Sequence, residues 1–243
     1  MTKIIGTTGL AGSGKDTLAD ELEEHFTEGG YSVLRTSFAE PIRNIAKAIG
    51  LDPFDRDKKE VEVTLRFSHI ELDLIEHITA ALGDFVGEDD LCDLYAGFVT
   101  VLRSRGYIVT DRQDKLTISP RRFCQLLGTE GGRSVRHSFW VDVLRARIAK
   151  LGTTAPGPVA RKYGPYADVA LVPDVRFANE FDVCDTVIGI DRPGVTAVEP
   201  HASEAEIPTL VESAHTKYRN EGTLEDLGRY AAGVAEAIRE GSL

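Results

Sequence analysis

The stretch Gly9-Leu-Ala-Gly-Ser-Gly-Lys-Asp-Thr17 decides the fold of this chain. It lies between a short apolar run, Ile4-Ile5-Gly6, and the helix-like segment Leu18-Ala-Asp-Glu-Leu22. A strand, a glycine-rich loop with a lysine, and a helix, in that order, match the phosphate-binding pattern G-x-x-x-x-G-K-[ST]. One position departs from the pattern, because Asp16 takes the place of the hydroxyl residue and Thr17 supplies a hydroxyl one position later.

A loop of this kind has the chemistry to hold the phosphates of a nucleotide. Small residues let backbone N–H groups curl around a phosphate chain, and the positive end of the following helix points at it. Lys15 would neutralise the β and γ phosphates. The alternative is a glycine-rich turn from strand to helix that binds nothing.

Length and charge limit the classes of protein to consider. The 243 residues suit one α/β domain, and we expect a single domain over residues 1–243 with a helical insertion over residues 52–118. The formal net charge of −11 argues against a partner such as nucleic acid, whose backbone requires clustered Lys and Arg. A few focused arginines could still hold a small anion. We leave open whether the chain forms a homodimer.

The cysteines and the absence of long apolar runs indicate the compartment. Cys92, Cys124 and Cys184 are widely spaced, which gives neither a disulfide framework nor a zinc spacing, and we expect them to be buried. The sequence opens on a strand without a leader, and no run approaches the ~18 apolar residues of a membrane span. We therefore expect a cytoplasmic protein without a membrane partner.

Strands and helices alternate around the loop. Helical spacing predicts a helix over residues 15–26, and a second strand follows over residues 31–37. This βαβ opening predicts a parallel sheet with a right-handed crossover. Ser37-Phe-Ala-Glu-Pro-Ile42 follows the second strand, at the edge where such sheets bind ligands. Pro41 is placed to begin a helix that Gly50 ends.

The middle of the chain has a different pattern. Charged residues crowd residues 52–62, and we interpret them as solvated surface. Apolar residues recur at helical spacing over residues 65–82 and 91–102, which predicts two helices. Tyr107-Ile-Val109 and Lys115-Leu-Thr-Ile118 predict a small hairpin or a return strand.

A helix with clustered arginines follows. Ser119-Pro120 fits an N-cap with proline at the first helical position, and Gly128 fits a helix stop. Arg121, Arg122 and Gln125 lie within one turn, so at least two of them share a face. Such a face offers guanidinium groups to a phosphate and an amide to the edge of a base. A solvated surface is the alternative.

Asp174 comes directly after a buried strand. The apolar run Val169-Ala-Leu-Val172 is typical of a buried parallel strand, and Pro173 marks its end. Phosphoryl-transfer enzymes with such a loop hold the magnesium shell or the acceptor with an acid at this place. An internal ion pair between Asp174 and Arg176 is the alternative.

The rest of the sequence continues the alternation of predicted helices and strands. A helix is predicted to begin at Phe139, and Trp140 by itself favours a core position over a stacking platform. Residues 152–166 are rich in proline and glycine and predict either a mobile lid or a simple connection. A further strand over residues 186–190 and an amphipathic helix over residues 224–238 complete an α/β fold.

Four motifs occur in order along the chain. They are the loop that ends in Lys15-Asp-Thr17, the segment Ser37-Phe-Ala-Glu-Pro41, the block Gln125-Leu-Leu-Gly-Thr-Glu-Gly-Gly-Arg133 followed by Trp140, and Pro173-Asp-Val-Arg-Phe-Ala-Asn-Glu180. Together they resemble the bacteriophage deoxynucleoside monophosphate kinases, as does His201-Ala-Ser-Glu204. The resemblance covers residues 4–41 and 119–204.

The resemblance implies a P-loop kinase fold, a three-layer α/β sandwich with a mostly parallel sheet. It implies transfer of the γ-phosphoryl group of ATP to the 5′-phosphate of a deoxynucleoside monophosphate (dNMP), giving a diphosphate, with Mg²⁺. Lys15, Arg122, Asp174 and Arg176 would be the catalytic residues. The metal ligands would be Asp16 and Thr17, and the alternative for Asp16 is an acid at the start of a helix, where the helix dipole favours it.

The resemblance also implies two sets of binding residues. The set that would contact ATP is Gly9, Ala11, Gly12, Ser13, Gly14, Lys15, Asp16, Thr17 and Arg192. The set that would contact the dNMP is Ser37, Phe38, Arg121, Arg122, Gln125, Gly128, Thr129, Arg133, Trp140, Asp174, Arg176 and Glu180. For Arg133 and Arg192, an exposed salt bridge is the alternative.

Two other functions compete with this one. A related P-loop kinase could phosphorylate a modified nucleotide, free or within DNA, or another small phosphate acceptor, although the acidic charge disfavours DNA. A non-catalytic nucleotide-binding protein would be expected to lose Lys15 or the acceptor arginines, and the chain keeps both. A phage-encoded kinase would act in the host cytoplasm.

Overall fold

The computed structural model describes residues 2–109, 114–154, 167–196 and 205–243. It divides into two compact units. The parallel-sheet unit comprises Met1–Ser37 and Leu144–Leu243, and the helical unit comprises Phe38–Val143. The insertion predicted over residues 52–118 falls inside the helical unit.

The helices and strands follow one another in this order: β1 (Lys3–Thr8), α1 (Lys15–Glu28), β2 (Val33–Arg35), α2 (Glu40–Ala48), β3 (Val63–Arg66), α3 (Phe67–Leu82), α4 (Glu88–Ser104), β4 (Ile108–Val109), β5 (Lys115–Ile118), α5 (Pro120–Leu126), a π-helical turn (Leu127–Gly132), α6 (Arg133–Val135), α7 (Phe139–Thr154), β6 (Val169–Val172), α8 (Ala178–Phe181), β7 (Thr186–Asp191), α9 (Ile207–Ser213), β8 (Thr216–Arg219) and α10 (Leu224–Glu240).

The parallel-sheet unit is built on five strands in the order β2-β6-β1-β7-β8. Every neighbouring pair is parallel, and Ile5 is in register with Leu171 on one side and Thr186 on the other. The predicted parallel sheet is confirmed. The second strand is shorter than predicted, and it pairs with β6, which lies between it and β1.

Helices cover both faces of this sheet. α1 and α10 pack against each other, and their apolar residues share one core cluster with Ile5, Ile188 and Ile190. The opposite face of β7 meets α9, because a Cβ added at Gly189 would lie 2.9 Å from the carbonyl oxygen of Val211. Successive residues of a strand point to opposite faces, so the sheet is the middle of three layers.

Helix α1 buries one stripe of its surface. Leu18, Leu22 and Phe26 recur at helical spacing and are fully buried, as the sequence predicts. Burying a side chain of this size stabilises the folded chain by roughly 1.5–3 kcal/mol. The helix ends at Glu28, two residues beyond its predicted end, with Gly29 as its C-cap.

The helical unit combines two long helices with a small sheet. α3 and α4 confirm the two predicted helices, and β4 and β5 confirm the hairpin in its described strands. β3 was not predicted, and it pairs antiparallel with β5 to give the order β3-β5-β4. Because Arg66 is extended at the end of β3, α3 begins at Phe67.

Two local predictions are wrong. Gly128 does not stop a helix, because α5 continues through the π-helical turn into α6. Cys92 is exposed and Cys124 only half-buried, whereas Cys184 is buried as expected. Burial raises the pKa of the Cys124 and Cys184 thiols to about 12, so both remain protonated at neutral pH. Among the described helices, none is long and apolar enough to cross a membrane.

Candidate phosphate-binding site

The glycine loop, residues 9–17, connects β1 to α1 as predicted. Gly12 and Gly14 have φ angles of 83° and 102°, which only glycine adopts without strain. Gly9 is required for a different reason, because a Cβ there would lie 2.5 Å from the carbonyl oxygen of Ile190. Gly14 directly precedes the first helical residue, so the N–H groups at the start of α1 open into the loop.

The loop is fastened to the ends of β7 and β8. The side-chain amide of Asn220 donates to the Ser13 carbonyl at 2.8 Å, and its backbone N–H donates to the Asp191 carbonyl at 2.7 Å. The exposed Arg192 donates to the Gly12 carbonyl at 3.4 Å. Asn220 is absent from the residues predicted from sequence, and its position directly after β8 is the only local sign of its role.

Lys15 and Asp174 form the charged centre of the site. Lys15 is 6% exposed, and its Nζ lies 3.4 Å from Asp174 Oδ1. Arg176 Nε donates to Asp174 Oδ2 at 2.9 Å. The structure thus brings together three of the four residues predicted to be catalytic, and it shows the ion pair between Asp174 and Arg176.

The segment that carries Asp174 is held in a defined conformation. Asp174 has a φ of 73°, a left-handed value that is uncommon for a residue other than glycine. The next residue, Val175, is bonded to β1 at both ends, with its N–H donating to Thr7 O and its carbonyl accepting from Thr8 Oγ1, each at 2.8 Å. The buried Glu180 accepts from the Arg176 N–H at 2.9 Å. These bonds fix the acid beside the glycine loop.

Ser13 carries a buried hydroxyl that lacks a protein partner. The residue is 1% exposed, and its Oγ has no hydrogen bond within the described part of the chain. A buried hydroxyl without a partner costs roughly 1–3 kcal/mol, so such a group commonly marks a ligand site. Asp16 is exposed and Thr17 half-buried, which places two further oxygen donors at the start of α1.

A cavity of about 410 Å³ lies beside the loop within the parallel-sheet unit. Leu10 and Ser13 of the loop form part of its wall. The other residues that line it are Ile190, Asp191, Arg192, Val195, Ile207, Pro208, Val211, Glu212, Lys217, Tyr218 and Arg219. Cavities of this size suit a ligand as large as a nucleoside.

The predicted arginine helix is α5. Ser119 caps it as predicted, because its hydroxyl accepts from the Arg122 N–H at 3.3 Å. Arg122 donates from Nε to the Tyr107 hydroxyl at 3.0 Å and from Nη1 to Gln125 Oε1 at 3.4 Å. Arg121 forms a salt bridge with Glu60 at 3.0 Å. Arg122 and Gln125 therefore share a face, and Tyr107 joins them without having been predicted.

Trp140 is packed against the π-helical turn. Its ring is 3% exposed, and its Nε1 donates to the Gly128 carbonyl at 2.7 Å. A Cβ added at Gly132 would lie 2.5 Å from that nitrogen. Gly128 and Gly132 thus bring the backbone close to the indole, and contact of Trp140 with a substrate stays a prediction.

Replacing Gly132 with alanine should therefore destabilise the protein. The indole is buried and its N–H donates to the Gly128 carbonyl, so moving it away from the added methyl group would cost packing and a hydrogen bond. We expect a loss of about 1–3 kcal/mol in the free energy of unfolding, the usual cost of overpacking. Urea denaturation measures it.

Gly97→Ala in α4 is the matched control, because its Cβ would meet only Ser134 Oγ at an ordinary 3.7 Å. That change should leave stability equal or raise it by up to about 1 kcal/mol, since alanine favours a helix. Equal stability of Gly132→Ala and the unmodified chain would contradict the packing described for Trp140.

The remaining predicted residues are placed as follows. Phe38 is buried, while Ser37, Ala11, Thr129 and Arg133 are half-buried. The loop predicted over residues 152–166 begins later, because α7 continues to Thr154. Residues 155–166 and the segment His201-Ala-Ser-Glu204 lie outside the described residues.

A glycine loop between the first strand of a parallel sheet and a helix, with Lys15 opposite an acid, is the arrangement typical of P-loop nucleotide-binding proteins. No protein-family model matches the chain. The chain is similar to the deoxynucleoside-5′-monophosphate kinase of Escherichia phage T5, with 28% identity over 229 residues that cover 86% of each protein. The resemblance to the phage deoxynucleoside monophosphate kinases is thereby confirmed.

Solved structures give weaker likenesses. A dephospho-CoA kinase from Campylobacter jejuni is 12% identical, covers the full length of both chains and superposes with a TM-score of 0.43. Cobyrinic acid a,c-diamide synthase from Mycobacterium smegmatis, with a bound ATP analogue and magnesium, is 15% identical and has a TM-score of 0.35. That match covers 96% of this chain and 82% of the synthase.

Proposed function

We propose that the chain is a deoxynucleoside monophosphate kinase in deoxynucleotide biosynthesis. It transfers the γ-phosphoryl group of ATP to the 5′-phosphate of a dNMP and releases a diphosphate and ADP. The observation that carries the proposal is Lys15 paired with Asp174 at the mouth of the glycine loop. The likeness to the T5 enzyme over 86% of the chain supports it.

The glycine loop holds the phosphates of ATP in this proposal. Phosphoryl transfer asks the protein mainly to position two substrates and to stabilise the charge of the group in flight. The N–H groups of the loop and Lys15 supply that stabilisation on the donor side. Lys15 keeps its orientation because Asp174 and the Leu10 carbonyl both contact its Nζ at 3.4 Å.

Oxygen donors at the start of α1 fit Mg²⁺. The exposed Asp16 and the half-buried Thr17 would hold the ion, and the buried Ser13 hydroxyl would contact a phosphate of ATP. Within the described ranges, no three His, Cys, Asp or Glu side chains are grouped so that they could hold a metal. A carboxylate and a hydroxyl suit Mg²⁺, which keeps several waters and takes its other ligands from phosphates. When bound, the ion neutralises phosphate charge.

The cavity beside the loop would receive the nucleoside of ATP. It shares Leu10 and Ser13 with the loop, so a ligand there would be continuous with a phosphate chain held by the glycines. Ile190 and Tyr218 offer apolar surface for a base, and Arg192 offers a hydrogen-bond donor.

Residues of the helical unit would hold the acceptor. Arg122 and Gln125 share a face of α5, which offers a cation for the 5′-phosphate and an amide for the edge of the base.

A coupled assay of ADP formation tests the proposal. Purified protein with ATP and Mg²⁺ is supplied in turn with each natural dNMP, with the ribonucleotides and with a panel of modified dNMPs. We expect ADP formation that depends on at least one natural dNMP and yields the corresponding diphosphate. Turnover with modified nucleotides alone would instead support the related kinase. Folded protein that forms no ADP with any of them would overturn the proposal.

A further inference from the structure

Carboxylates neutralise several arginines of the helical unit. Arg121 pairs with Glu60 at 3.0 Å and Arg105 pairs with Glu130 at 2.8 Å. Arg136 is bonded to both Asp90 and Asp142, which raise its pKa. Each of these arginines stays ionised, but the pair that it forms with its carboxylate has little net positive charge.

Arg122 is held differently. Its Nε donates to the Tyr107 hydroxyl at 3.0 Å, and its Nη1 donates to Gln125 Oε1 at 3.4 Å. Both acceptors are neutral, and no carboxylate within the described ranges pairs with it. Two hydrogen bonds, at Nε and Nη1, thus orient the guanidinium group, and no carboxylate in the described part of the chain balances its positive charge.

The backbone is hydrogen-bonded at both ends of the contact between Tyr107 and Arg122. The Tyr107 N–H donates to the Leu102 carbonyl at 2.9 Å, and its carbonyl accepts from Thr117 N at 3.0 Å. The N–H of Arg122 lies in the first turn of α5, where Ser119 caps it. These bonds hold the two backbone segments that carry the phenol and the guanidinium group, whose contact is 3.0 Å long.

We propose that Tyr107 is a positioning residue that aims the Arg122 guanidinium at the phosphate of the acceptor nucleotide. The identity of that anion rests on the proposed function. A phenol oxygen at Nε orients the planar group but does not cancel its charge, as a carboxylate would. Nη2 remains for a phosphate oxygen. The hydroxyl hydrogen of Tyr107 also lacks an acceptor among the described residues, so it can donate to the same phosphate.

Tyr107→Phe keeps the ring and removes the acceptor. We expect the KM for the dNMP to rise about tenfold, which corresponds to about 1.4 kcal/mol. The KM for ATP should not change, and kcat should stay within about threefold, because the glycine loop is untouched. Steady-state kinetics with each substrate varied in turn measures all three.

A double-mutant cycle with Arg122→Ala separates positioning from general structure. If Tyr107 acts through Arg122, adding Tyr107→Phe to the Arg122→Ala protein should raise the dNMP KM by less than about twofold. Additive effects of the two changes would contradict the proposal. Tyr95→Phe is the matched control, because that phenol donates to Glu71 at 3.2 Å in the same unit, and its loss should leave both KM values unchanged.

Chemical modification tests the contact without turnover. Phenylglyoxal reacts with accessible arginines, and mass spectrometry maps the labelled peptides. Inorganic phosphate should protect Arg122 in the unmodified chain, and Tyr107→Phe should require about tenfold more phosphate for equal protection, in line with its expected KM. Equal protection in both proteins would overturn the inference. The two proteins could also differ in protection although the unmodified chain phosphorylates no dNMP. That result would overturn the proposed function but would support the role of Tyr107 in orienting Arg122.

Discussion

Replacing Lys15 with methionine is expected to lower kcat for the dNMP by about a thousandfold, the upper range for loss of one preorganised charge in a phosphoryl-transfer site. Lys15 is 6% exposed and reaches Asp174, so its ammonium is held beside the glycine loop, where the proposed reaction would develop negative charge. Methionine retains most of the apolar stem. Asp174 keeps Arg176 as a cationic partner at 2.9 Å, so the change does not leave a carboxylate unpaired.

The measurement compares kcat, the KM for ATP and the thermal midpoint of the variant with those of the unmodified chain. Lys58→Met makes the same chemical change at a lysine that also pairs with an acid, Asp55 at 3.2 Å, but whose side chain is 77% exposed. It should retain full activity. If Lys15→Met kept more than about a tenth of the turnover while remaining folded, Lys15 would not stabilise the transferred group.

The parts of this site that could be predicted from sequence are local. Gly12, Gly14 and Lys15 lie in one short loop whose spacing sets the conformation of the backbone. Asp174 was predictable for a similar reason, because it directly follows a buried strand that Pro173 ends. Position relative to a strand of a parallel sheet is enough to place both on the same edge.

The parts that could not be predicted depend on contacts between distant segments. Asn220 supports the loop from the end of β8, 207 residues after Ser13, and nothing near it in sequence marks the partner. Tyr107 reaches Arg122 because the hairpin folds back toward α5, and the pattern of the hairpin carries no information on that distance. β3 is four residues long and lies beside charged residues, so alternation alone did not reveal it.

Gly128 illustrates a different limit. A glycine after an apolar helix commonly adopts a left-handed conformation and ends the helix. Here the carbonyl of Gly128 is bonded to Trp140 and the chain continues in a π-helical turn. Because glycine has no side chain, the indole of Trp140 can approach the backbone closely at this position. The glycine was therefore informative, but it does not mark the end of a helix here.

Asp174→Asn is expected to lower kcat by about a hundredfold or more, because it removes the negative charge that lies between Lys15 and Arg176. Asparagine is almost isosteric and tolerates the left-handed φ of 73°, so the backbone of this segment should be retained. The two cations then face each other without the carboxylate, and we expect a loss of about 1–3 kcal/mol in the free energy of unfolding. Turnover is therefore measured well below the thermal midpoint of the variant.

Asp114→Asn is the matched control for this change. Asp114 is the other aspartate with a left-handed φ among the described residues, at 46°, and it accepts from the Ser68 N–H at 2.9 Å. An asparagine oxygen can accept the same bond, so that variant should keep its activity within about twofold. Equal activity of the two variants would contradict the prediction, because turnover would then not need the charge of Asp174. A selective loss in Asp174→Asn would show that turnover needs the negative charge between Lys15 and Arg176, since asparagine tolerates the left-handed backbone at both positions.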